Sequence, residues 1–178
     1  MGYITDFTGQ IELTPALTQD QARYLKKFNE TRRMKRDRDK AAAMLDPLRI
    51  AVGGPVGDEG CYFVGGTDVM GQNRDDSILE YNTPPTGQLG LWCQWVPDEG
   101  GSALVWDGGE KFYNYTEWMV YIIEHFLKPW GITACGQISW EGECSDDRGV
   151  IYVKNNKVEA VETGIMNPGP SWAEGGAG

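Results

Sequence analysis

"ITACGQISWEGECSDDRGVIYVKNNKVEAVE", from Ile132 to Glu162, decides the fold class. It contains three runs rich in apolar and β-branched residues, "ITACGQISW", "GVIYVKN" and "KVEAVE", divided by turn-forming residues, which predicts a three-stranded antiparallel meander. Asn155 and Asn156 suit a two-residue turn, because the favoured hairpin turns need positive φ and asparagine tolerates it.

Upstream, "LWCQWVP" from Leu91 to Pro97 is apolar on both faces, "PDEGGS" turns the chain, and "ALVWD" reads as an antiparallel partner. Near the N-terminus Tyr3, Thr5, Phe7, Ile11 and Leu13 share one face with Gly9, while Asp6, Thr8, Gln10 and Glu12 share the other, as in a half-buried strand. "GQIEL" at Gly9 and "GQISW" at Gly136 echo one another, which we read as two strands under similar constraints.

Two helices separate these strands. The first has Thr18 as N-cap, Gln21 completing a capping box, Leu17 placed to staple against Ala22, and Ala22, Tyr24, Leu25 and Phe28 on its buried stripe. Its basic continuation, "NETRRMKRDRDK", is expected to project into solvent or to pair with the protein's own acidic surface. The second helix has Asn114 and Glu117 spaced as a capping box, then Trp118, Ile122, His125 or Phe126, and Pro129 at helical intervals, and Pro129 and Gly131 end it. The whole predicts one α+β domain over residues 1–163, with a mainly antiparallel sheet of about six strands and two principal helices on one face. Residues 46–90, with "CYFVG" as an edge strand, read as a largely irregular insertion, and 164–178 as a flexible tail.

Composition narrows the function classes. Twenty-four glycines and nine prolines in 178 residues imply many turns, and forty per cent apolar residues exclude a wholly disordered chain. No apolar run approaches the length of a membrane span and no signal-like segment opens the chain, so a cytoplasmic protein with no membrane contact is expected. Cys61, Cys93, Cys135 and Cys144 then read as reduced thiols, and with no CxxC pair no metal site or cofactor is expected. The net charge of −10 conceals a segregation: nine of sixteen bases lie between Arg23 and Lys40. The remaining acidic surface disfavours direct nucleic-acid binding and favours cationic protein patches.

Catalytic signatures are sparse. His125 is the single histidine and reads as a hydrogen-bonded packing residue, and no GxSxG elbow or complete phosphate loop exists. "DGGEK" lies between a strand and a helix start, but Asp107 and Glu110 would repel an anion there. Glu141, Glu143, Asp146 and Asp147 crowd one loop without the fixed spacing of a calcium site. The candidate ligand- or partner-binding residues are therefore Trp92, Trp95, Trp106, Asp107, Glu110, Tyr113, Asp146, Asp147 and Arg148, with no catalytic residue assigned.

"LWCQWVP", "WDGGEKFYNYTEW", "FLKPWG", "GQISWEGECSDDRGVIYVKNNKVEAV" and "ETRRMKRD" together resemble an uncharacterised family of small acidic proteins encoded in bacteriophages, prophages and bacterial genomes. The resemblance carries no residue roles. It implies an accessory protein that binds and inhibits a host protein, such as a defence or nucleic-acid-binding component, through its acidic surface. The alternatives are a protein that sequesters a small nucleotide signal with the aromatic strand-to-helix region, and, third, an enzyme working with paired carboxylates.

Overall fold

The computed structural model describes residues 2–66, 74–163 and 170–174. β1 (Thr5–Thr14) buries Thr5, Phe7, Ile11 and Leu13 and exposes the residues between them, as alternation requires. α1 (Gln19–Glu30) starts at the reciprocal Thr18–Gln21 cap, with Gln21 N donating to Thr18 Oγ1 at 3.1 Å and Thr18 N to Gln21 Oε1 at 2.9 Å. Tyr24, Leu25 and Phe28 form its buried stripe.

Beyond α1 the structure corrects the expectation of a solvated basic arm. The helix stops at Glu30, and the chain turns inward through Thr31, Arg33, Met34 and Arg36, all at most 3 % exposed. β2 (Lys35–Arg36) pairs with β3 (Ile78–Glu80), with α2 (Arg38–Ala42) and α3 (Pro47–Ala51) between them. The part of the expectation that holds is pairing with the protein's own acids, since Arg36 meets Asp75 at 2.8 Å and Lys35 meets Glu59 at 3.2 Å. "CYFVG" is not a strand; it turns after Cys61 and buries Phe63 and Val64.

β4 (Trp95–Pro97) and β5 (Ala103–Trp106) form the expected hairpin, shorter than the sequence suggests because Leu91 to Gln94 run irregularly before Trp95. α4 (Tyr115–Ile122) continues through one wide turn at Ile123–Leu127, whose extra residue puts Phe126 in the core and His125 outside. Its capping box does not form. Asn114 is in the left-handed region (φ 56°), and its amide donates to Leu89 O at 2.9 Å instead of capping the helix. Only its backbone carbonyl serves α4, accepting from Trp118 N.

β6 (Thr133–Gly142), β7 (Arg148–Lys154) and β8 (Lys157–Glu162) form the meander, turned at Asn155 and Asn156 with φ of 48° and 69°. The six strands of the main sheet pair antiparallel in the order β4-β5-β1-β6-β7-β8, giving an α+β fold. The echo of "GQIEL" and "GQISW" has a structural cause. In the long β1–β6 ladder Gly9 faces Ile138, Gln10 faces Gln137, and Ile11 faces Gly136. A Cβ at Gly9 would approach Gln137 O to 2.5 Å and one at Gly136 would approach Gln10 O to 2.6 Å, so each strand needs its glycine where the other crosses it closely.

α1 and α4 cover one face of the sheet, and Phe28, Trp118, Ile122 and Phe126 join Ile11, Ile138 and Ile151 in one core. The other face is uncovered along β1 and β6. At its β8 side a short turn, α5 (Ser171–Glu174), is tied down by Ser171, whose N–H and Oγ both donate to Glu159 at 2.8 Å. The rest of the expected tail, 164–169 and 175–178, lies outside the described residues. No helix among the described residues is long and apolar enough to cross a membrane.

Candidate functional site

The aromatic strand-to-helix region is a packing centre. Trp95 and Trp106 face each other across the β4–β5 hairpin, and the Phe7 ring meets both edge-on at 5.2 and 5.4 Å. Phe112 and Tyr115 close the group. Trp95 Nε1 donates to Tyr115 O at 2.8 Å and Trp106 Nε1 to Gln94 Oε1 at 3.1 Å, while Gln94 Nε2 donates to Glu110 O at 2.7 Å. Packed indoles whose N–H groups are satisfied by a backbone carbonyl at the start of α4 and by a side-chain amide are structural. Trp92 is half-buried in the irregular lead into β4.

The acidic turn consumes its own charge. Asp107 Oδ1 accepts from Gly109 N at 2.7 Å and Oδ2 accepts from Asn29 Nδ2 at 2.8 Å, which fastens the turn to α1 and leaves no donor nest for an anion. Asp107 also lines an open groove of about 880 Å³ between α1 and the β4–β5 hairpin. Arg23 and Lys26 stand on its helix side, Asp98 and Glu99 on its hairpin side, so this groove has no single sign of charge. Glu110 is exposed, with only its carbonyl engaged.

Tyr3 joins candidates that are distant in sequence. Its backbone N–H donates to Tyr113 Oη at 3.2 Å and its hydroxyl to Asp147 Oδ2 at 2.6 Å, an interaction that pushes the Tyr3 pKa up to about 12. Asp147 Oδ1 takes a further bond from Trp140 Nε1 at 3.1 Å, Glu143 accepts from Ile4 N at 2.7 Å, and Arg148 pairs with Glu141 at 3.0 Å. The loop thus anchors the N-terminal segment, while Asp146 stays exposed. Among the described residues no group of three or more His, Cys, Asp or Glu is placed to hold a metal ion.

Two features were beyond the reach of sequence reasoning. One is the internal arginines. Arg49 pairs with the buried Asp46 at 2.6 Å, whose other oxygen accepts from Gly65 N at 2.9 Å. Arg33 meets no carboxylate among the described residues: it lies over the Phe28 ring at 4.3 Å, donates to Phe63 O, and keeps two nitrogens unpartnered, and burial holds its pKa down. Nothing local in "TRRMKR" marks which arginines turn inward.

The other is the uncovered sheet face. Pairing sets Asp6 opposite Glu141, Thr8 opposite Ser139, Gln10 opposite Gln137 and Glu12 opposite Cys135, and all eight side chains are exposed. The alternation of β1 signalled its half of this face; the pairing with β6 that doubles it is a tertiary fact. Compared with known protein families, curated proteins and solved structures, the chain matches none.

Proposed function

We propose that this is a non-catalytic binding protein that docks on a cationic protein surface through the uncovered β1–β6 face. The observation that carries the reading is where the charges lie. Among the described residues four bases, Lys27, Arg33, Arg36 and Arg49, are buried but only one acid, Asp46, so the surface is more negative than the net charge of −10. On the exposed β1–β6 face Asp6, Glu12 and Glu141 frame the uncharged Thr8, Gln10, Gln137 and Ser139; of the bases beside it on β7, Arg148 is paired with Glu141 and Lys154 stands at the far end, next to β8. A flat polar face framed by acids gives a complementary field and hydrogen-bonding groups to a basic partner, and little to nucleic acid or an anionic membrane.

The resemblance to phage- and prophage-encoded proteins supports a host protein as the partner, with inhibition in the host cytoplasm as the outcome. The engagement of the acidic loop in anchoring the N-terminus counts against a carboxylate enzyme. Capture from a bacterial lysate with immobilised protein at 50 mM and 500 mM salt tests the reading, because exposed charge contacts weaken once the Debye length falls to a few ångströms (about 4 Å at the higher salt). A specific partner that is basic and is lost at high salt is the expected result; a partner set indifferent to salt would contradict it.

A further inference from the structure

A second site lies away from the sheet face. Tyr24 from α1, Tyr62, the Val52–Pro55 turn, and His125, Phe126, Pro129 and Trp130 from the end of the second helix line a cleft of about 380 Å³, within the range of small-ligand pockets. Its floor is made by the nearly buried Tyr24 and Phe126, and its rim by the more exposed Tyr62, His125 and Trp130. The mouth beside Gly53 is open: a Cβ there would meet nothing within 4 Å.

Three observations select the chemistry of an occupant. First, most of the rings stand at steep angles, Tyr24 to Trp130 at 80°, Tyr24 to Phe126 at 68° and Tyr62 to Phe126 at 71°, and the one shallower pair, Phe126 and Trp130 at 32°, is too close at 5.7 Å to admit a ring between them. Walls set this way do not sandwich a flat ring; they surround a rounded group. Second, none of the ten lining residues carries a formal charge, and the chain as a whole carries −10, so a cation is attracted and no base competes for the ring faces. Third, the polar groups of Tyr24, Tyr62 and His125 are committed to one another and to the backbone. Tyr62 Oη and His125 Nδ1 are 2.7 Å apart, His125 is stacked on Tyr121 at 4.0 Å, and the Tyr24 hydroxyl donates to Tyr62 O at 2.7 Å. Among the described residues no carboxylate lines the cleft to take hydrogen bonds from a primary ammonium, which favours a cation that has shed its donors by methylation.

We propose that this cleft binds a methylated ammonium group, held by cation–π contact with Tyr62, Trp130 and the rings beneath them. The group can arrive on a small molecule or on a methylated lysine of a partner, and the reading is independent of the sheet face. The test uses the full chain, whose single histidine gives one isolated set of NMR signals beside the cleft. Choline, its uncharged isostere 3,3-dimethylbutan-1-ol, and a trimethyllysine peptide beside its unmodified form are titrated in turn.

Saturable shifts of His125 and the Trp130 indole with choline or the trimethyllysine peptide are expected. The uncharged isostere or unmodified peptide should bind about tenfold more weakly or worse. Choline alone binding identifies a small-molecule source; tighter binding of the peptide identifies a protein source. Trp130→Leu, checked for an unchanged fold by circular dichroism, should lower the affinity about tenfold as well. Absence of shifts with both cations, or equal binding of the uncharged isostere, would overturn the proposal even if the variant fails to fold.

Discussion

Arg33 and Arg49 are both buried, yet their surroundings predict opposite responses to the same substitution. Arg49 neutralises a carboxylate that has no exposure of its own, so Arg49→Met leaves Asp46 charged and without its cation, at a cost of about 3–5 kcal/mol in denaturant unfolding. Arg33 has no acid to abandon among the described residues, and its desolvation opposes folding. Arg33→Met, which keeps the contact with Phe28, is expected to leave the unfolding midpoint unchanged or raised. His125 gives a pH prediction at the same scale. Burial lowers its pKa below the ordinary 6.5, with Glu124 opposing, so the folded chain binds the proton less readily than the unfolded chain. Its contribution to stability is intact above pH 6.5 and declines as pH falls from 6.5 through the lower folded-state value. An NMR titration should place the His125 midpoint below 6.5; a midpoint at or above it would contradict the packing described.

At the scale of elements, the β7–β8 turn separates turn propensity from tertiary bonding. Both asparagines have positive φ, so propensity alone favours glycine at either. Asn156, however, also holds the start of β6: Oδ1 accepts from Ala134 N at 2.6 Å and Nδ2 donates to Ile132 O at 3.1 Å. Asn156→Gly should therefore cost about 1–3 kcal/mol, whereas Asn155→Gly should stay within about 0.5 kcal/mol of the parent, both read from chemical denaturation. The same contrast explains what could be read from sequence. The Thr18–Gln21 cap, the alternation of β1 and the Asn-Asn turn are decided within a few residues, and the structure has them as expected. Asn114 was misread because its amide is drawn to Leu89, and the inward turn after Glu30 because Arg33 and Arg36 find partners at Phe63, Asp75 and Ser77. Those partners are twenty-five or more residues away, and no local pattern names them.

For the whole molecule, burying bases while leaving one sheet face open and acidic turns a modest net charge into a directed one. The candidate residues chosen from sequence, chiefly tryptophans and the acidic loop, were legible as important but not as structural: Trp95 and Trp106 close the core around Phe7, and Asp147 anchors Tyr3. The residues that now carry the binding proposal, Asp6, Glu12 and Glu141, are ordinary acids in sequence and acquire meaning only once β1 lies beside β6. Charge reversal on that face tests the proposal most directly. Asp6→Lys with Glu12→Lys is compared with Asp76→Lys plus Glu99→Lys, which makes the same change in net charge at exposed positions elsewhere. Binding to a captured basic partner is measured for both at low salt. The account predicts loss of binding, by about tenfold or more, for the sheet-face pair and near-parent affinity for the other; equal loss in both, or none in either, would contradict it.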